Sequence, residues 1–110
     1  MAGLVRAIPL RDGQPVKQYY LYTLASRLGG ALYIGVTSDL VRRIDEPKNG
    51  LIKSHSKRYG IDKLVYFEVY DAARDAIQRE KNMKHWPRAW KTRTIAEKNP
   101  TWRDLYDEIV

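Results

Sequence analysis

The sequence predicts a single α+β domain, a small three-stranded antiparallel sheet flanked by helices. Two runs rich in Tyr, Leu, Ile, Val and Thr, residues 19–26 and 31–37, enclose a glycine-bearing turn, the pattern of a β-hairpin. A third apolar and aromatic run follows at residues 64–70. Beyond it, apolar residues recur at helical spacing. A chain of 110 residues has room for one core.

The hairpin also predicts its own register. Pairing the arms across the turn at residues 27–30 places Tyr22 opposite Gly35. Tyr33 then lies diagonally from Tyr22 on the same face, because successive strand side chains alternate faces. Two phenol groups would share one surface, beside a glycine that keeps it open.

Two tyrosine motifs, Tyr-Leu-Tyr at 20–22 and Tyr-Ile-Gly at 33–35, precede Asp-Leu-Val-Arg-Arg at 39–43. Glu80 and a closing Asn-Pro-Thr-Trp-Arg-Asp-Leu at 99–105 follow in the same order. Together these features resemble the GIY-YIG nuclease superfamily and, more narrowly, its small single-domain bacterial members. The resemblance spans nearly the whole chain beyond the first 18 residues and implies the same α+β fold.

Residues 1–18 hold prolines and a glycine without periodicity, so we interpret them as a leader that is flexible or adds one edge strand. Residues 19–110 form the predicted domain. The chain has no cysteine, so its stability must come from packing. It has no run of signal-peptide or membrane-span length, which favours a cytoplasmic protein with no membrane partner.

The net charge of +7 is unevenly distributed. Residues 39–60 hold six basic against three acidic residues, and residues 72–98 hold eight against three. This distribution fits a polyanion-binding face and fits a solubilising surface equally well. The candidates for phosphate contacts are Lys53, Lys57, Arg58, Arg88, Lys91 and Arg93.

The first helix should follow the hairpin directly. Ser38 or Asp39 can cap it, because a short oxygen side chain accepts hydrogen bonds from the free first-turn amides. Pro47 should end it after about two turns, since proline lacks an N–H and disfavours a helical residue before it. The segment at 51–61 is then a basic loop or short helix with interleaved aromatic residues.

The run at 64–70 is nearly continuous in apolar character, which predicts a central strand covered on both faces. Asp71 should cap the next helix, whose apolar stripe continues to Met83 but carries Glu80 where the pattern favours leucine. An isolated carboxylate there is costly unless it finds a cation, a donor or a metal. An ion pair with Lys84 four residues on is the structural alternative.

Two further helices complete the predicted fold. One opens at Trp86-Pro87 and stops at Asn99-Pro100, and the last is capped by Thr101 and carries a stripe from Trp102 to Ile109. We interpret the three tryptophans as core anchors rather than platforms for base stacking.

The resemblance implies roles for individual residues. Tyr22, Tyr33, Arg43 and Glu80 would converge on one cleft, with Glu80 holding one Mg²⁺ or Mn²⁺ and no small-molecule cofactor needed. Arg43 would offset charge on the phosphate. Tyr22 and Tyr33 would position the attacking water, with Tyr22 the better proton acceptor. Asn99 would orient a phosphate or a tyrosine.

One position departs from the family. Many relatives carry His or Tyr four residues after the helix arginine, where this chain has Pro47. Either another group accepts the proton or catalysis is impaired, because an unassisted phenol has a pKa near ~10. Some relatives place a second histidine further on, and His55 is the candidate here.

The sequence therefore leaves two function classes open. The first is a divalent-metal-dependent endonuclease that hydrolyses phosphodiester bonds in DNA. The second is a catalytically impaired nucleic-acid-binding module, which Pro47 favours. A third class, a protein-interaction domain, is supported only by the charged surface. The oligomeric state, the DNA structure preferred and the biological pathway leave no trace in the sequence.

Overall fold

The computed structural model describes residues 10–11, 14–15, 17–48 and 60–110 of the chain. The elements are β1 Leu10–Arg11, β2 Gln14–Pro15, β3 Tyr19–Ala25, β4 Leu32–Thr37, α1 Leu40–Lys48, β5 Lys63–Tyr70, α2 Ala73–His85, α3 Arg88–Lys98 and α4 Tyr106–Ile109.

A three-stranded antiparallel sheet in the order β4-β3-β5 forms the centre of this structure. Helices pack on both of its faces, so the predicted α+β architecture is confirmed. The short strands β1 and β2 pair with each other. The interpretation of residues 1–18 as a flexible or edge-strand leader stays a prediction.

The hairpin register is confirmed. Tyr22 pairs with Gly35, and Tyr33 pairs with Leu24 beside it. The turn closes where Gly30 N donates to the Arg27 carbonyl at 2.8 Å. The sequence of the hairpin is enough to predict this register, because two alternating strands joined by a short glycine turn have one register that keeps their apolar faces aligned.

The strand β5 lies at an edge of the described sheet, whereas the sequence predicted a central strand. Leu64, Val65 and Tyr66 are buried, but Val69 is 39% exposed. The C-terminal segment covers the start of its outer edge, where Leu105 N donates to the Leu64 carbonyl at 2.7 Å and Asp104 accepts from Leu64 N at 3.1 Å. The apolar run reflects contacts with this segment and the helices, not a second neighbouring strand.

The sheet separates two clusters of buried side chains. On one face Tyr20, Tyr22 and Leu24 pack with α1 and the end of α4. On the other face Leu21 and Ala25 pack with α2 and α3. The phenol of Tyr22 therefore lies on the α1 side of the sheet.

The helix α1 begins as predicted and ends later than predicted. Asp39 Oδ1 accepts from Arg42 N at 3.2 Å, which makes Asp39 the capping residue. The helix continues through Pro47 to Lys48. A proline in the last turn removes one backbone donor without breaking the turns before it, so the predicted stop was two residues early.

Two predicted caps are wrong. Ala72 occupies the cap position of α2 and makes no side-chain cap bond, so Asp71 does not cap the helix. No helix starts at Thr101, because Trp102 is buried with φ 54°, outside the helical region. The last helix is α4, which begins at Tyr106 after Asp104 has bonded to β5.

The bounds of the helix α3 match the prediction. Pro87 precedes it and Asn99 ends it. Across the described part of the chain, no helix combines the length and the apolar character needed to cross a bilayer.

Candidate active site

Tyr22 and Arg43 form the centre of the candidate site. Tyr22 on β3 is only 1% exposed. The Asp39 cap starts α1 just past β4, so the second turn of the helix brings Arg43 over the same face of the sheet. There Arg43 Nε donates a hydrogen bond to Tyr22 Oη at 2.9 Å. A guanidinium that is always charged thus lies against a phenol.

Tyr33 stands beside this pair. Its ring centroid lies 6.2 Å from that of Tyr22, with the planes tilted by 49°. A Cβ on Gly35 would come within 2.5 Å of Tyr22 Oη. The sequence predicted that this glycine keeps the surface beside the two phenols open. The structure corrects this role, because Gly35 is itself buried and makes room for the Tyr22 ring that lies over it. Tyr33 is the more accessible phenol.

The protonation of Tyr22 follows from its burial. Burial raises the pKa of the Tyr22 hydroxyl to about 12, even though the hydrogen bond and charge of Arg43 lower it. At neutral pH this phenol stays protonated and is a poor proton acceptor. The burial of Tyr22 therefore weighs against it, and accessibility favours Tyr33 as the phenol that contacts water.

A polar cavity of about 270 Å³ opens at the start of α1, and Arg43 forms part of its wall. Arg42 and Arg43 give it positive charge, which suits an anion. The Asp39 carboxylate in the wall is engaged in capping. A larger cavity of about 530 Å³ lies along β5, but none of the predicted site residues lines it. Of the two, the smaller cavity is the one that a predicted site residue, Arg43, lines.

Glu80 lies on α2, in the layer opposite to the tyrosine pair. Lys84 Nζ is 3.5 Å from Glu80 Oε2, so the ion pair considered in the sequence is formed. On the same helix Arg79 turns toward β5, where it binds Glu68. Glu80, the next residue, is rotated by roughly 100° around the helix from Arg79. Convergence of Glu80 with the tyrosines stays a prediction.

The Glu80 carboxylate fits a hard divalent cation. Among the described residues, no cluster of three or more His, Cys, Asp or Glu forms a protein cage for a metal. Mg²⁺ needs no such cage, because it keeps several waters and binds through one or two carboxylates plus substrate phosphates. The ion pair with Lys84 is no obstacle, since Lys84 is half-exposed and such pairs contribute ~0–1 kcal/mol.

Asn99 is not brought to the tyrosines. It is buried, and its Nδ2 donates to the carbonyls of Val65 at 3.1 Å and Arg103 at 2.9 Å. Its Oδ1 accepts from Arg103 N at 3.2 Å. Because its amide group donates to backbone carbonyls of both β5 and the C-terminal segment, this side chain links the C-terminal segment to β5 by hydrogen bonds. We therefore leave Asn99 out of the proposed site.

The basic candidates differ in their surroundings. Arg88 Nη2 donates to the carbonyls of the hairpin turn at 29–30. Lys91 Nζ donates to the Lys84 carbonyl at 3.3 Å. Arg93 is exposed. Four further predicted residues, His55, Lys53, Lys57 and Arg58, lie outside the described residues.

Comparison with known proteins decides the family. The model of the GIY-YIG catalytic domain matches residues 18–94, more than half of the chain. The chain belongs to the GIY-YIG family. A nuclease-type catalytic domain follows from this membership, and the family assigned from its motifs is confirmed.

Bacterial relatives agree with this GIY-YIG assignment. A UPF0213 protein of Clostridium perfringens is 35% identical over 90 residues, covering 82% of this chain and 96% of the relative. A UPF0213 protein of Staphylococcus saprophyticus is 31% identical, covering 73% and 96%. The solution NMR structure of a UPF0213 protein from Bacillus halodurans is 25% identical with a TM-score of 0.50, covering 79% and 92%. These names state no activity.

One partly buried network of this GIY-YIG domain escaped the sequence analysis. Glu68 on β5 accepts from the hydroxyls of Tyr66 and Tyr70. Arg79 on α2 binds both of its oxygens, at 3.1 and 3.0 Å. The alternation of Tyr, Glu and Tyr at 66, 68 and 70 was a usable signal, since it places all three on one face. The network joins β5 to α2, the helix that carries Glu80.

We expect Glu68→Gln to destabilise the fold by about 1–3 kcal/mol at neutral pH. Burial alone would raise the pKa of the Glu68 carboxyl, but the hydrogen bonds from Arg79, Tyr66 and Tyr70 hold it below its usual value. The lower end of the range applies because the Arg79 side chain is a third exposed.

Because the pKa of the Glu68 carboxyl is lower in the folded state than in the unfolded state, its ionisation stabilises the fold at pH values above the unfolded-state pKa of ~4.3. This stabilisation is lost as the pH falls through the pKa of the folded state. Urea unfolding should therefore show the largest deficit for Glu68→Gln at pH 7 and a shrinking one below about pH 4. The matched control is Glu97→Gln, an exposed charge on α3. A deficit that does not change with pH would contradict the charged network.

Proposed function

We propose that this chain is a divalent-metal-dependent endonuclease that hydrolyses phosphodiester bonds in DNA. The observation that carries the proposal is the hydrogen bond from Arg43 to Tyr22 beside the polar cavity at the start of α1. It fixes a guanidinium at a place where a phosphate has room to bind. The net charge of +7 is compatible with a polyanionic substrate.

Each side chain has a separate task in this proposal. Arg43 contacts a nonbridging phosphate oxygen and offsets the charge that develops on it. Tyr22 is a positioning residue, since it is buried and holds the Arg43 side chain. Tyr33, the accessible phenol, orients the attacking water. The water oxygen bonds to phosphorus as the bond from phosphorus to the leaving oxygen breaks, the water releases its proton to solvent, and the leaving oxygen takes one up from solvent. A Mg²⁺ or Mn²⁺ held by Glu80 would supply further positive charge to the phosphate.

The second candidate is a nucleic-acid-binding module with impaired catalysis. A specific observation favours it, namely that burial holds the Tyr22 hydroxyl in its protonated form. Pro47 stands where many relatives carry a proton acceptor, and the Asp45 carboxylate accepts from Tyr106 on α4. His55 as the acceptor stays a prediction. The two candidates share their binding surface and differ in turnover.

A cleavage assay separates the two candidates. Purified protein is incubated with end-labelled duplex DNA in Mg²⁺, in Mn²⁺ and with EDTA. We expect nicks or breaks with either metal and none with EDTA. Protein carrying Arg43→Ala and purified identically reports contaminating nuclease. If the DNA is bound but stays intact in both metals, the chain is a binding module and the endonuclease proposal is wrong.

A further inference from the structure

Trp90 is exposed where the sequence predicted a core anchor. Its exposed fraction is 49%, whereas Trp102 is 5% exposed. On α3, Ile95 faces the core, and Trp90 five positions earlier is rotated by roughly 140° to the outer side. Core packing does not account for so large an apolar ring on this surface.

The exposed Trp90 ring packs against another aromatic side chain on one side. Trp86 meets Trp90 edge to face, with the ring centroids 6.1 Å apart and the planes at 67°. The Arg79 guanidinium lies 4.8 Å from the centroid of Trp86 and is itself fixed by Glu68. A ring held in this way loses little conformational freedom when a ligand stacks on it.

The surroundings of Trp90 are positive and polar. Arg93 lies one turn along the same face of α3, exposed and with no side-chain hydrogen bond or ion pair in the described structure. The first turn has no acidic residue, and Glu97, the acidic residue of α3, lies two turns away. Thr94 completes this face with Arg93 and Glu97. A helix that lies on a membrane needs an apolar stripe, which this face lacks.

We propose that Trp90 stacks on an unpaired base, so that the chain prefers DNA carrying an unpaired nucleotide over a continuous duplex. An indole face together with a nearby guanidinium matches the two parts of a nucleotide, the base and its phosphate. In a continuous duplex the base faces are already stacked, so an exposed indole gains nothing from them. This inference rests on the proposed function, because it names the DNA structure on which the site acts.

Contacts of the residue next to Trp90 connect α3 to the proposed metal ligand on α2. Lys91, the next residue, donates to the Lys84 carbonyl at 3.3 Å. Lys84 Nζ is 3.5 Å from Glu80. Along α2, Lys84 lies about 6 Å from Glu80. A strand whose unpaired base stacks on Trp90 thus passes close to the helix that carries Glu80.

Fluorescence anisotropy with two labelled oligonucleotides tests the inference. One is a 20-base-pair duplex, and the other is the same duplex with one extra unpaired thymidine, both in EDTA so that no cleavage occurs. We expect wild-type protein to bind the second about tenfold more tightly, which corresponds to ~1.4 kcal/mol and lies within what the stacking of one base contributes. Trp90→Ala should bind both equally, at the wild-type Kd for the continuous duplex.

Three variants sharpen the result. Trp90→Phe should keep most of the preference because it keeps a ring, and Trp90→Leu should lose it although it stays apolar. Arg93→Gln should weaken binding of both oligonucleotides alike and reduce the slope of log K against log salt by roughly 0.9. Circular dichroism checks that each variant is folded, as expected for an exposed position.

The inference is overturned if wild-type protein shows no preference, or if Trp90→Ala or Trp90→Leu keeps it. It is also overturned if Trp90→Ala abolishes binding to anionic phospholipid vesicles while leaving both DNA affinities unchanged. Cleavage is measured separately, so the two proposals fail independently. A preference without cleavage leaves the stacking platform in place and removes the endonuclease, and cleavage without a preference does the reverse.

Discussion

Glu80→Gln should lower metal-dependent cleavage of duplex DNA by on the order of 10³-fold, to the level of wild-type protein in EDTA. A metal that polarises a phosphate contributes several kcal/mol, and ~4 kcal/mol corresponds to that factor. Calorimetric titration with Mn²⁺ should show one site in the wild type and none in the variant. The fold should persist, because glutamine is nearly isosteric and the partner Lys84 is half-exposed.

The matched control is Lys84→Gln, which breaks the same ion pair and keeps the carboxylate. We expect it to retain the Mn²⁺ site and the cleavage rate within about tenfold, since an exposed pair contributes ~0–1 kcal/mol. Equal Mn²⁺ affinity in wild type and Glu80→Gln would sink the metal assignment. Equal losses in Glu80→Gln and Lys84→Gln would show that the ion pair, and not a metal, is what the site needs.

Arg43→Ala should slow cleavage by about 10²–10³-fold while changing DNA affinity little. A donor aimed at the charge that develops on a reacting oxygen is worth this much. Arg43→Lys should recover only part of the loss, because a lysine ammonium is a point charge without the planar fork that reaches Tyr22 and the phosphate together. Single-turnover rates and binding constants for each variant separate the two effects.

Arg42 provides the control for this prediction. It is the exposed neighbour on the same helix and lines the same cavity, so Arg42→Ala removes the same charge without touching Tyr22. We expect a loss below about tenfold, mainly in affinity. In a double-mutant cycle, Tyr22→Phe and Arg43→Ala should be strongly non-additive, because one side chain positions the other. Equal losses from Arg42→Ala and Arg43→Ala would reduce the role of Arg43 to general charge.

The sequence was sufficient wherever neighbouring residues determine the structure. Alternation around a glycine turn predicted the pairing of Tyr22 with Gly35, and the structure confirms it. A capping side chain at Ser38 or Asp39 predicted that a helix starts directly after the hairpin, and the structure has Asp39 as the cap and Leu40 as the first residue. The motifs predicted the family, which the match over residues 18–94 confirms. These features depend on short-range geometry, which the order of residues encodes directly.

The candidate site was predicted only in part. Tyr22, Tyr33 and Arg43 meet as expected, since the hairpin register and the length of the β4–α1 connection bring them together. Asn99 does not join them, because buried carbonyls of β5 and the C-terminal segment take its amide hydrogens. Whether Glu80 reaches the cleft depends on how α2 lies across the sheet, and no pattern within the helix specifies that.

By itself the sequence determined the α+β class, the hairpin register and the family of this protein. Only the tertiary structure decided that β5 is an edge strand, that the Tyr22 hydroxyl is buried and protonated, and that the Trp90 ring is exposed. The reason is physical. Strand order, burial and the environment of a titrating group depend on segments far apart in the chain, whereas turns, caps and alternation depend on residues within a few positions.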